Sequence, residues 1–172
     1  MKMKTVICLG ISLALLTLAG CGGGGGDGDQ ITTPAPSPTS GVLKVSAAGT
    51  PNTIGAIDMT INFPAGVKVN TVAATGEAAE GVVAASGIAA GINTLATGKF
   101  TPAAGATPAQ LRIGLINTAG FGLGEFVTIK FDLDSGGSFP ASATAFSVAG
   151  FEADGLSGAP LSGISVSSIT MQ

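Results

Sequence analysis

Residues 41–172 are expected to fold as an all-β sandwich of about nine short strands. Three observations point there. Apolar and polar residues alternate strictly through 57–63 and 127–134, which is the two-residue period of a half-buried strand. Turn-forming clusters, Pro64-Ala65-Gly66 and Asp134-Ser135-Gly136-Gly137, close both runs. Further short apolar segments recur between Gly- and Pro-containing turns, which is the rhythm of a sandwich rather than of alternating helices and strands.

Taken in order, the first strand is expected at 42–46. The second is the clearest: Ile57, Met59, Ile61 and Phe63 share one face and Asp58, Thr60 and Asn62 the other. A third is expected at 67–72. The stretch 73–98 is Ala-rich, which favours helix, but Gly76, Gly81, Gly87, Gly91 and Gly98 break it at about 1 kcal/mol each in a helix interior. Short strands at 81–85 and 87–92 therefore fit better, with a brief helical turn near 77–80. Strands follow at 111–116 and at 127–133, where Val127, Ile129, Phe131 and Leu133 form the apolar face. The last two lie at 143–148 and 163–171. In the final run the apolar phase of Ile164 and Val166 shifts to that of Ile169 and Met171, and a β-bulge near Ser167-Ser168 would absorb the shift.

The 132 residues of this domain are enough for a self-sufficient core. Composition also bounds the chemistry. The 172-residue chain has no His, so no Ser-His or Cys-His relay and no His-ligated zinc or haem site. A net charge of −3 gives no footprint for nucleic acid. No cofactor-binding motif is present.

The N-terminus reads differently. Lys2 and Lys4 precede an uncharged apolar run over 5–19, too short for a comfortable bilayer span. The run ends in Leu18-Ala19-Gly20-Cys21. This resembles the lipobox of bacterial lipoproteins, which implies a signal peptide over 1–20 and lipidation of Cys21. The thiolate is the strongest nucleophile available for such alkylation, and several acyl chains anchor where one does not. Loss of Lys2 and Lys4 would leave five basic residues against ten acids, a net −5.

Residues 21–40 read as the lipidated Cys and a tether, with five consecutive glycines at 22–26 and then the Pro-alternating Thr32-Thr33-Pro34-Ala35-Pro36-Ser37-Pro38. Such a segment spans roughly 25–50 Å between its coil and extended limits. In proteins that carry the lipobox, Asp directly after the Cys favours inner-membrane retention. Gly22 stands there instead, so the resemblance implies an envelope protein anchored in the outer membrane, facing either the periplasm or the exterior.

The order of segments in 41–172 resembles cohesin domains, nine-stranded sandwiches of jelly-roll type. The residues that carry the likeness are Gly55 through Pro64 followed by Val67-Lys68-Val69, then Leu111 through Ile116 followed by Gly124 through Leu133, and finally Glu152-Ala153-Asp154-Gly155 followed by Gly163-Ile164-Ser165-Val166. Phe63-Pro64 departs from the Tyr-Asp found in many cohesins, and no ligand contact is carried over. The resemblance implies a non-catalytic module that binds a dockerin-like protein, often a polysaccharide-acting enzyme.

Other readings stand beside it. Glu77 with Glu80, and Glu152 with Asp154, are carboxylate pairs, but near neighbours in one loop rarely give the separation across a cleft that a glycosidase needs. Asp132 and Asp134 with the following glycines are weak candidates for a Ca²⁺ site, but they lack the further ligands of a calcium loop. An exposed strand face that discourages edge pairing explains them as well. A carbohydrate-binding sandwich would need a stacking platform, yet the chain has no Trp and no Tyr. Phe63, Phe131 and Phe146 fall in core phases. Phe100, Phe121 and Phe139 lie in turn-like contexts, where they are expected to act as hydrophobic plugs. A purely structural envelope protein is the remaining alternative. A protein partner is expected to dock on one sheet face, through Ser, Thr, Asn and small apolar groups.

Overall fold

The computed structural model describes residues 37–172. The signal segment, Cys21 and most of the tether fall outside these residues. The described part is a β-sandwich of nine strands: β1 (Ser40–Gly49), β2 (Ile54–Phe63), β3 (Val67–Lys68), β4 (Val83–Ala85), β5 (Thr94–Thr101), β6 (Ala109–Phe121), β7 (Gly124–Leu133), β8 (Ser147–Gly155) and β9 (Ile164–Met171). One sheet runs β3-β7-β1-β9, with β4 also paired to β7; the other runs β5-β6-β2-β8. All strand pairs are antiparallel. Most connections cross from one sheet to the other, so neither sheet forms without the other's strands.

Alternation sets the interior. Leu43 and Val45 on β1, Ile57, Met59, Ile61 and Phe63 on β2, Leu111, Ile113 and Leu115 on β6, and Ile129 and Phe131 on β7 are all buried. Each strand presents its next residue to the opposite face. At the end where the chain enters β1, the core is aromatic. Phe63 meets Phe100 and Phe146 edge-on at centroid distances of 5.9 and 5.4 Å. Phe131 lies 5.7 Å from Phe139 and 5.4 Å from Phe146. Such contacts add to the area they bury.

The phase shift in the last strand is a bulge, as its sequence suggests. Ser46 pairs with Ser168, then Ala47 with Val166, so Ser167 is the extra residue. A second bulge lies on β7, where Val45 pairs with Val127 and Ser46 with Glu125. Between them Phe126 is displaced from the ladder, and both Phe126 and Val127 are fully buried.

Several expected elements differ. The segment 87–92 is not a strand but a 3-10 turn at Gly87–Ala89 and a bend. Gly87 has φ +51°, and a Cβ there would lie 2.4 Å from the Glu125 carbonyl, so the chain turns tightly against β7. No helical turn forms near 77–80: Glu77 bridges Lys99, and the Ala78 amide donates to the Gly98 carbonyl at 2.8 Å. The expected strand at 67–72 is reduced to Val67–Lys68, because β7 offers partners only to those two residues on that edge. Residues 143–145 form a 3-10 turn and the strand starts at Ser147.

The chain also contains a strand that alternation did not signal. β5 turns Ala96, Gly98 and Phe100 inward and Leu95, Thr97, Lys99 and Thr101 outward. Gly98 has no side chain for a reason: a Cβ there would sit 2.7 Å from Val83 Cγ2 and 3.2 Å from Leu111 Cδ1. Strand β5 therefore rests directly on β4 of the facing sheet.

Candidate functional site

The expected chemical sites come apart when placed on the fold. Asp132 accepts a hydrogen bond from Asn70 Nδ2 at 2.8 Å, and Asp134 is paired with Lys68 Nζ at 3.0 Å. Each carboxylate thus has its own partner, and the two do not converge on one point. Among the described residues, no cluster of three or more Asp, Glu, His or Cys side chains is placed to hold a metal. Glu77 and Glu80 flank the turn beside β5, whereas Glu152 and Asp154 lie on β8 in the ladder with β2. Phe121 is buried, and Phe100 and Phe139 pack against the core.

What the fold assembles instead is the outer face of the four-stranded sheet. Register places its residues in rows across the strands. Leu95, Ile116, Ala56 and Asp154 form one row; Thr97, Gly114, Asp58 and Glu152 the next; then Lys99, Arg112 and Thr60; then Thr101, Gln110, Asn62 and Ser147. The last row is a polar ladder across three strands: Gln110 Nε2 donates to Asn62 Oδ1 at 3.0 Å, and Asn62 Nδ2 to Ser147 Oγ at 3.1 Å.

In the middle, Arg112 straddles Asp58, with Nε 3.2 Å from both carboxylate oxygens and Nη2 3.0 Å from Oδ2. The hydrogen bond to Asp58, and then its charge, raise the Arg112 pKa above its ordinary value, so the guanidinium stays charged at every physiological pH. The pair is exposed, which makes it a weak contributor to stability.

The first row is unusual for a solvent-facing surface. Leu95 is 62% exposed and Ile116 54% exposed, side by side on β5 and β6. Ile92, in the loop that enters β5, is fully exposed. A buried polar network holds that loop. Asn117, only 7% exposed, donates from Nδ2 to Thr94 Oγ1 at 2.6 Å and accepts from the Ala119 amide at 2.8 Å. The Thr94 hydroxyl in turn donates to the Ala89 carbonyl at 2.5 Å. Every link is made, so the network rigidifies rather than costs. Gly114 lies between the apolar row and the ion pair, leaving the face low there. From Gly114 a cleft of about 700 Å³ runs past Thr97 and Lys99 to Glu77, Ala79 and Glu80 on the far side of the β5 edge.

Of these residues, Asn62, Thr60 and the serine and threonine content were legible as an outward face. Leu95 was not, because its strand went unrecognised. Ile116 had a signal that can be stated: it follows Leu115 directly, and of two adjacent apolar residues in a strand without a bulge one must face out.

No family model matches the chain, and no curated protein does. Among solved structures the chain is similar to a non-cellulosomal cohesin from the hyperthermophilic archaeon Archaeoglobus fulgidus, at 15% identity and a TM-score of 0.45, over 73% of this chain and 75% of that one.

Proposed function

We propose that this chain is a non-catalytic binding module, and that the outer face of the four-stranded sheet docks a protein partner. The carrying observation is the side-by-side exposure of Leu95 and Ile116 next to a charged pair and a polar ladder on one flat face. Apolar anchors surrounded by satisfied polar groups are the anatomy of a protein interface. Isolated exposed apolar residues need no explanation, but a contiguous pair with Ile92 at its margin does. The cohesin resemblance of the sequence agrees with this reading and suggests a dockerin-like partner, for instance a polysaccharide-acting enzyme. Lipidation at Cys21 would hold the module on the bacterial envelope, and the tether would raise the partner's concentration there without any further contact.

The test immobilises the full-length protein and passes secreted proteins over it, then soluble and insoluble polysaccharides. A retained protein that Leu95→Asp with Ile116→Asp releases is the expected result. Polysaccharide retained at micromolar affinity with no protein retained would replace this reading by glycan binding. Retention of neither would leave a structural envelope protein. The anchor is tested separately: labelled fatty acid should enter the wild type and not Cys21→Ser, and equal labelling of both would remove the anchor.

A further inference from the structure

We infer that the vacant half of the β5 edge binds an extended segment of the protein partner by strand addition. This rests on the docking reading above and names a second element of the same interface. Strand β5 pairs with β6 along one side. On its other side, residues 76–78 already form a short ladder: the Ala78 amide donates to the Gly98 carbonyl at 2.8 Å and the Phe100 amide to the Gly76 carbonyl at 2.9 Å. These bonds fix the pleat. Even-numbered residues of β5 aim their amides and carbonyls at this edge, because the backbone groups of a strand alternate sides with every residue.

The occupied half then stops. At Ala79 the chain leaves β5, turns through Glu80 and Gly81, and joins the other sheet, where the Lys130 amide donates to the Val82 carbonyl at 2.8 Å. The Thr94 amide closes locally on the Gly91 carbonyl at 3.2 Å. Between these points, the Thr94 carbonyl and both backbone groups of Ala96 have no backbone partner among the described residues, whereas the Gly98 amide faces Ala78, which already lies opposite it. Acceptor, donor and acceptor follow one another along one line. An extended polypeptide presents the complementary sequence at the same repeat. The cleft described above opens at this place, with Ala79, Val83 and Ala84 on one side and Ala96, Thr97 and Gly98 on the other.

The other edges are handled differently. A return segment crosses β8, where the Leu161 amide donates to the Ala153 carbonyl at 2.8 Å and the Gly155 amide to the Ala159 carbonyl at 2.9 Å. The bulge at Ser167 kinks β9. Both are ways of blunting an edge against pairing.

Register also gives the chemistry of the guest strand. A residue opposite Ala96 turns its side chain inward toward Val83, so it must be small, as Ala78 is opposite Gly98. The residues on either side, opposite Leu95 and Thr97, turn outward. The one beside Leu95 gains from being apolar, since Leu95 and Ile116 lie next to it. The expected guest is an extended apolar-small-polar run, continuing the ladder that residues 76–78 begin.

The probe is a phage-displayed random heptapeptide library panned on the full-length protein in detergent, followed by amide hydrogen exchange with the enriched peptides. The enriched sequences should carry the apolar-small-polar run and slow exchange at the Ala96 amide. Ala96→Pro removes one edge-facing amide and leaves the β6 ladder its donors, a position where Pro is tolerated in a strand. It should weaken these peptides tenfold or more. No enriched sequence, or enriched peptides that leave the Ala96 amide exchanging as in the free protein, would overturn the proposal without any need for the variant. The two readings fail separately. A protein partner held equally by wild type and Ala96→Pro, with the wild-type Ala96 amide unprotected, removes strand addition and keeps the docking face. Peptides held at the edge with no partner protein retained do the opposite.

Discussion

The two outer faces of the sandwich obey one rule inward and different rules outward. Both sheets send every second residue into the same core. On the five-stranded sheet, the residues left over on β1, β7 and β9 are mostly polar, Lys44, Ser46, Thr128, Lys130, Ser165, Ser168 and Thr170 among them, and the apolar ones are a half-buried Val42 and the small Ala48. On the four-stranded sheet, the residues left over include Leu95 and Ile116, both more than half exposed. Folding demands nothing of an outward-facing position beyond solubility and strand propensity. Apolar residues there are informative in a way that those of the core are not, and the contrast within one molecule is the control.

The largest expected effect tests the inward rule. Phe131 is 1% exposed and touches two other rings, while its neighbour Lys130 points out from the same strand. Phe131→Ala should cost about 3–5 kcal/mol in denaturant melts, and Lys130→Ala should stay within about 0.5 kcal/mol. A reversed order would mean that the faces of β7 are swapped. Next comes the network under the apolar row. Asn117→Ala removes the partner of the Thr94 hydroxyl and of the Ala119 amide, and should cost about 1–3 kcal/mol. If that network positions the loop at Ile92, partner affinity should fall as well, even at temperatures where the variant is fully folded.

The outward contrast is tested by charge insertion. Leu95→Asp together with Ile116→Asp should weaken partner binding by about tenfold or more, the scale of a moderate interface anchor. The melting midpoint should fall modestly, because Asp is a poor strand former and the two like charges stand directly opposite each other, so binding is compared at a temperature where both proteins are folded. Lys44→Ala with Thr128→Ala, on the other face, should leave binding unchanged. Equal losses from the two pairs would mean that exposure of apolar residues does not mark the docking face.

Much of this fold was legible because alternation reports burial directly. Strands β2 and β7 follow their apolar phases, and even the bulge at Ser167 appears in the sequence as a slipped phase. Alternation fails where small residues do the packing. Strand β5 turns Ala96 and Gly98 inward while the larger apolar Leu95 faces out, so its sequence shows no apolar phase pointing to the core. The segment 76–100 was legible only in part for the same reason: β4 falls within the strand expected at 81–85, but the rest is set by tight backbone contacts, such as Gly87 against Glu125 and Gly98 against Val83, which only tertiary neighbours define. The candidate site inherits both results. Asp58, Thr60 and Asn62 were visible as the polar phase of β2, but their companions Leu95 and Lys99 belong to the strand that was not seen. The Arg112–Asp58 pair, 54 positions apart in the chain, needed the β2–β6 register.

The smallest expected effect concerns that pair, and it separates stability from recognition. Both side chains are largely in solvent, with Arg112 70% and Asp58 47% exposed, and salt screens exposed charges. Arg112→Ala should therefore leave the denaturation midpoint unchanged. A raised pKa means that the ion pair's contribution is complete below arginine's ordinary value and is lost only as pH climbs through the higher folded value. No step in stability from Arg112 is expected between neutral pH and pH about 10. Binding is a different matter. An exposed charge near an apolar anchor acts mainly on encounter rate and partner selection. The wild-type association rate should change between low and high salt, and the Arg112→Ala rate should change less, with dissociation nearly unaltered. Stopped-flow or surface-binding kinetics at two ionic strengths would read this. A change confined to the dissociation rate would show Arg112 buried in the complex, and would move the centre of the interface from the Leu95–Ile116 row to the ion pair.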